Sequence, residues 1–325
     1  MNKILIVGCG VIGSRHLQSL SSTNTEIEIY AVDNNRESLN NAKSIFESMP
    51  LNDLICRVDY YDSINEINFD IDLAIIATNS DVRKRIVKEI LSKIRVKYLI
   101  LEKVVFQSAK CFKEVIKLIK QNNTCAWVNC PNRVFPCYRN MKDKIFNNGN
   151  LYMSVDGGNW EISGNSIHYL DLFNYLTEDI INIFNIDGLD AKLYPSKRSG
   201  FVDFNGQIYV ETLGGDKLVI NNNKYSDRPV TINIVNDNFR YIIFEDSGKA
   251  IIQNSFSKWE KKEIEFSIIP QSKITSIISD EILNFGCCDL ITLEQSFVLH
   301  KTMLEAFTGY LNKINNDNLE KCPIT

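Results

Sequence analysis

Read for its apolar and polar positions, the chain opens as continuous apolar runs alternating with helical patterns. The runs Lys3–Val7, Ile27–Val32, Leu54–Val58, Ile71–Ala77, Val96–Leu101 and Cys125–Val128 predict six strands. Between them Ser14–Leu20, Arg36–Met49, Asp81–Lys93 and Ser108–Gln121 read as helices. In the second of these, Leu39, Ala42, Ile45 and Phe46 recur at helical spacing and Pro50 closes the pattern. Strands that are apolar throughout and alternate with helices predict a parallel sheet covered on both faces.

From Pro131 the texture changes. Phe135–Phe146 predicts a helix, Leu151–Val155 a strand, Gly157-Gly158 a turn, and Asn165–Leu176 a helix. Asn205-Gly206, flanked by the runs Phe201–Phe204 and Gln207–Leu213, predicts a hairpin. Further strands are expected at Lys217–Ile220, Val230–Val235, Tyr241–Phe244, Ala250–Gln253 and Glu263–Ile268, and helices at Ser272–Phe285 and Thr292–Lys313. The fold class is therefore α/β: an N-terminal Rossmann domain, residues 1–123, then a C-terminal α/β domain with a mostly antiparallel open sheet, residues 124–325. At 325 residues, two domains suit the length.

The first strand runs into Gly8-Cys9-Gly10-Val11-Ile12-Gly13, and the second ends at Asp33, twenty residues after the last glycine. In a GxGxxG turn the first glycine permits the tight bend, the second lets backbone approach a pyrophosphate, and the third lets helix pack on strand. Free N–H groups at the helix start, from Val11 and Ile12, suit a diphosphate, and Asp33 suits the adenosine ribose hydroxyls. Ligands of such sheets sit beyond the carboxyl ends of the strands, which adds Thr78, Asn79 and Glu102 to the cofactor-binding set. The expected cofactor is NAD, with NADP as the alternative because Arg36 lies three residues after Asp33.

Composition narrows the classes. A net charge of -4 leaves no basic footprint for nucleic acid, and no apolar run is long enough to span a bilayer. The chain starts directly in a strand pattern, with no signal-peptide pattern, and its nine cysteines are scattered, so reduced thiols in the cytoplasm are expected. Cys125, Cys130 and Cys137 match no zinc spacing, and no metal is expected.

The chemistry-bearing candidates lie at sheet edges and on one helix. Lys103 follows the fifth strand, where a desolvated ammonium can move a proton. His168, Asp171 and Tyr175 share a helical face, while Ile167, Leu170 and Phe173 point into packing. Arg133, after the sixth strand, suits an anionic substrate group or a salt bridge, and Trp160 suits a sugar face or the core. His16 is placed beside the cofactor groove, and His300 reads as structural.

The segments GCGVIGSRH, then ILEK after the fifth strand, then GG and H-x-x-D, resemble the glucose–fructose oxidoreductase/inositol dehydrogenase/rhizopine catabolism family over nearly the whole chain. The resemblance implies hydride transfer between nicotinamide and a sugar or nucleotide-sugar hydroxyl, with a weaker likeness to members from bacterial surface-glycan gene clusters. It maps the family lysine to Lys103, the histidine to His168 and the following acid to Asp171. It also implies a homo-oligomer, dimer or tetramer, through the C-terminal sheet. Two positions depart from the pattern: Val104 stands where proline is usual, and Gly164 where many members carry aspartate. That incomplete triad keeps two other readings open, a redox-neutral hydrolase or epimerase of the same fold and a non-catalytic NAD-binding scaffold.

Overall fold

The computed structural model describes residues 1–145, 148–316 and 318–325. By internal contacts the chain divides into two compact units, the first comprising Met1–Phe106, Lys110–Asn129 and Ile269–Glu294, the second the remainder.

In the first unit β1 (Asn2–Val7), α1 (Val11–Leu20), β2 (Ile27–Val32), α2 (Arg36–Glu47), β3 (Ile55–Tyr61), β4 (Ile71–Ile76), α3 (Ser80–Lys93), β5 (Val96–Leu101), α4 (Ala109–Gln121) and β6 (Cys125–Val128) follow the predicted alternation. The strands pair in parallel in the order β3-β2-β1-β4-β5-β6. Chain order reverses between β1 and β4, the switch point at which open α/β sheets bind ligands. Ile4, Leu5, Ile6, Ile29, Leu73, Ala74 and Ile75 are wholly buried, as strands covered on both faces require. β3 runs three residues past its predicted end at Val58, because its pairing with β2 stays in register to Val32 and Tyr61.

The second unit holds α5 (Pro136–Ile145), β7 (Tyr152–Gly158), α6 (Ile162–Thr177) and β8 (Ile181–Leu189). β9 (Tyr194–Pro195), β10 (Val202–Asp203), β11 (Gly206–Thr212), β12 (Lys217–Asn223) and β13 (Thr231–Val235) follow. β14 (Phe239–Phe244), β15 (Lys249–Asn254) and β16 (Lys262–Glu265) complete its strands. Among the described residues, eight of these strands form one sheet in the order β16-β15-β14-β13-β7-β12-β11-β8, antiparallel except where β7 meets β12. Burial alternates along most of these strands, so one face is core and the other is more open.

Several local expectations are corrected. Gly157-Gly158 is not a turn but the end of β7; a Cβ at Gly158 would meet the Ser226 carbonyl oxygen at 2.3 Å, so the glycine serves close backbone approach. Asn205-Gly206 does not close a hairpin. The Asn205 side chain is drawn to Asp190 and to the Lys224 N–H, β10 pairs with β9, and Gly206 starts β11 against β8. β8 was not expected at all. The predicted helix end at Phe146 lies outside the described residues.

The late helix α7 (Gln271–Phe285) returns to the first unit and packs on α1. The Ser276 N–H donates to Ser19 Oγ at 2.9 Å, the Thr23 hydroxyl to Asp280 at 2.6 Å, and the Asn284 amide to Thr25 at 3.0 Å. α8 (Leu293–Asn315) belongs to the second unit from Gln295 onward.

Candidate functional site

At the carboxyl edge of the first sheet, Gly8, Gly10, Asp33, Asp62, Ser63, Ala77, Thr78 and Asn79 are among the residues around a cavity of about 540 Å³, a size suited to a bound organic molecule. Gly8 has φ +91°, and a Cβ at Gly13 would stand 1.7 Å from the Gly8 carbonyl oxygen. That close approach is what a turn of this spacing requires of its last glycine. A Cβ at Gly10 would meet nothing within 4 Å, so bare backbone faces open space there. α1 starts with no side-chain cap and no acid in its first turn, an arrangement that suits an anion at its N-terminus. Among the described residues, the buried Thr78 hydroxyl has no hydrogen-bond partner, which is the mark of a site that a polar ligand completes. These features fit a dinucleotide.

Asp33 faces the turn. One carboxylate oxygen accepts from the Cys9 N–H at 2.6 Å and the other from the Asn35 N–H at 2.8 Å. Arg36 reaches Asp62 through Nε at 3.0 Å and Nη2 at 2.8 Å.

Glu102 and Lys103 emerge together from β5. The Glu102 carboxylate is buried; Oε1 bonds His16 Nε2 at 2.9 Å and accepts from the Asn129 amide at 2.5 Å. His16 does not line a groove. It is 1% exposed and bridges Glu102 to the Thr275 hydroxyl of α7, also at 2.9 Å. Burial works to raise the Glu102 carboxyl, yet the bonds from His16 and Asn129 with the charges of His16 and Arg83 outweigh it and hold the group at about 2.

Arg83 was not among the expected site residues. It is 1% exposed and donates to the carbonyl oxygens of Glu102, Val104 and Val105, and to that of Thr78. The backbone on both sides of Lys103 is thus tied to one guanidinium, and the Lys103–Val104 peptide bond is cis. Lys103 is half-buried. The available signal was a cation on the stripe Ser80, Arg83, Val87, Ile90, Leu91 that α3 buries.

In the second unit α6 carries His168, which is half-buried, as are Asn165 and Tyr175. Ile167, Leu170 and Phe173 are wholly buried, as their spacing implied. Asp171 is 1% exposed and receives Arg133 on both oxygens, from Nε at 2.9 Å and Nη2 at 2.7 Å. The Arg133 guanidinium lies 5.2 Å from the Tyr175 ring centroid, one turn along the same face. Trp160 is half-buried, donates from its indole to the Asn221 carbonyl at 3.0 Å, and meets Tyr169 edge to face. His300 is wholly buried and bonds Ser296 in its own helix. Among the described residues, no group of three or more His, Cys, Asp or Glu side chains is arranged to hold a metal ion. No described helix is long and apolar enough to cross a membrane.

Residues 2–130 match the oxidoreductase family with an NAD-binding Rossmann fold, the glucose–fructose oxidoreductase/inositol dehydrogenase/rhizopine catabolism family. The matched residues span all six strands of the parallel sheet, so this part of the chain is an NAD-binding Rossmann fold. No curated protein sequence matches the chain significantly. Among solved structures, levoglucosan dehydrogenase in complex with NADH is similar over 100% of both chains, at 11% identity and a TM-score of 0.72. UDP-N-acetylglucosamine 3-dehydrogenase from Acidithiobacillus ferrooxidans is similar over 94% of this chain and 96% of its own, at 11% identity and a TM-score of 0.71. The dehydrogenase MviM from Clostridium difficile is similar over 97% and 99%, at 15% identity and a TM-score of 0.68. At these identities the likeness is one of fold, and it runs over both units of the chain.

Proposed function

We propose that the protein is an NAD-dependent dehydrogenase or reductase acting on a hydroxyl of a sugar or nucleotide-sugar, with Lys103 and His168 as its proton-carrying groups. The observation that carries this reading is the anchoring of Lys103. β5 pairs with β4, and the Glu102 N–H donates to the Ile76 carbonyl at 3.1 Å, so the strand end bearing Lys103 lies beside the one that delivers Ala77 and Thr78 to the cavity. A reacting group must be held to within a fraction of an ångström to be useful, and Arg83 holds the carbonyls flanking this one.

Bound in the glycine turn, NAD would supply the hydride acceptor. The unprotonated Lys103 amine accepts the substrate hydroxyl proton as the carbinol C–H bond breaks, leaving a carbonyl; reduction runs the same steps backwards. His168 is read as the second proton carrier, and Arg133, Trp160 and Asp171 as the substrate-side residues, with Asp171 acting through Arg133. The folds of levoglucosan dehydrogenase and the UDP-N-acetylglucosamine dehydrogenase support the sugar class.

The test is hydride transfer, followed by nicotinamide absorbance, on a panel of sugars and nucleotide-sugars. Lys103→Met is expected to lower the single-turnover rate by about 10²–10⁴-fold while NADH still binds. A wild-type rate in that variant removes Lys103 from the mechanism. Turnover without net NADH change would favour a redox-neutral reaction.

A further inference from the structure

Among the described residues, three carboxylates line the cavity, Glu89 of α3 and, at the ends of two adjacent strands, Asp33 and Asp62. Asp33 follows β2 and Asp62 follows β3. They are brought together by register: Val32 pairs with Tyr61, and the Asp33 N–H donates to the Tyr61 carbonyl at 3.2 Å, so each acid is the next residue out from a paired position. Arg36, the cation three residues after Asp33, does not line the cavity among the described residues. Its guanidinium is turned onto Asp62 by two donors to the same carboxylate oxygen, at 3.0 and 2.8 Å. An arginine just past β2 is the group that would otherwise meet a 2′-phosphate on the adenosine ribose.

We infer that Asp62 is a specificity-determining residue that excludes NADP, by holding Arg36 off the 2′-phosphate position and by adding a second negative charge beside Asp33. The arrangement discriminates by repulsion as well as attraction. A 2′-hydroxyl can donate to a carboxylate, whereas a 2′-phosphate brings about two negative charges against those of Asp33 and Asp62 and finds Arg36 already engaged. The pair is exposed, Arg36 by 82% and Asp62 by 45% of their side chains. Neither side chain is packed into the sheet, so removing Asp62 releases Arg36 without dismantling the sheet edge. Arg85 of α3 also lines the cavity and is present in every variant below, so it cancels from their comparison. The inference concerns cofactor choice alone and does not depend on the substrate or on the catalytic roles proposed above.

The experiment is direct binding of NADH and NADPH to the full chain, by nucleotide fluorescence and calorimetry at fixed ionic strength, with no substrate present. The wild type is expected to favour NADH. Asp62→Asn is expected to tighten NADPH by about tenfold, and by no more than about threefold when Arg36→Ala is also present. Circular dichroism establishes that each variant is folded. A wild type that favours NADPH overturns the inference. So does an Asp62→Asn variant with an unchanged preference, or one whose whole gain survives the loss of Arg36. A wild type that binds neither nucleotide overturns the cofactor assignment and this inference with it, whereas failed turnover with normal NADH binding touches only the proposed reaction.

Discussion

Arg83 Nη1 donates to the carbonyl oxygen of Val105 at 2.9 Å, and the same nitrogen serves the carbonyls of Glu102 and Val104 on either side of Lys103. A guanidinium presents donors in a rigid fork, so one buried side chain reaches the 102–105 carbonyls through Nη1 and the Thr78 carbonyl, on the neighbouring strand end, through Nη2.

Loss of that fork should be felt twice. Arg83→Met leaves buried carbonyls at Thr78 and along 102–105 without this donor, and should cost about 3 kcal/mol or more in urea unfolding. Arg83→Lys keeps the charge but not the fork. It should recover part of the stability while kcat stays about tenfold or more below wild type, with the KM for substrate changed much less. An Arg83→Lys variant with wild-type kcat would mean that the clamp serves folding alone.

Glu102 makes stability depend on acid pH. Its carboxyl lies at about 2 in the fold, below the roughly 4.3 of an unfolded glutamate. A depressed acid contributes stability that is fully present above the unfolded value and is lost as pH falls through the folded one. The contribution is about 3 kcal/mol, and the window runs from about pH 4.3 down to about pH 2. The difference in unfolding free energy between wild type and Glu102→Gln should therefore be constant near neutrality and shrink across that window. A difference that is flat across that window would show that the bonds to His16 and Asn129 do not hold the carboxyl below its unfolded value.

Asp171 and Arg133 should behave as a unit. The acid is wholly inside α6 packing and both its oxygens are taken by the guanidinium. Breaking one side of such a pair leaves a charge without its partner, so Asp171→Asn should destabilise the protein by about 3 kcal/mol. A double-mutant cycle with Arg133→Met should return a coupling of about 2 kcal/mol. Additive effects would show that the two side chains act separately.

The strands of the first sheet, the glycine turn, and the placement of Asp33 and Lys103 after strands and of His168 on a helix were legible in the sequence. Each rests on local physics: buried parallel strands are continuously apolar, helices repeat every 3.6 residues, and a tight turn against a helix excludes a Cβ. What the tertiary structure decided lies where partners are far apart in the chain. His16 meets Thr275, 259 residues away, because α7 returns to the first unit; that contact takes the histidine out of the cofactor groove where local reading put it. Arg83 reaches carbonyls that no side-chain pattern encodes. Asn205-Gly206 carried a strong local hairpin signal, yet Asp190 and Lys224 claim Asn205 from distant positions and β11 pairs elsewhere. Asp62 was missed because the apolar run fades at Val58, while pairing with β2 carries β3 on to Tyr61 and sets the acid at the sheet edge. Periodicity reports which face of an element is buried; it carries no information on which distant group will satisfy a buried polar atom, and in this protein those groups hold the residues around the site.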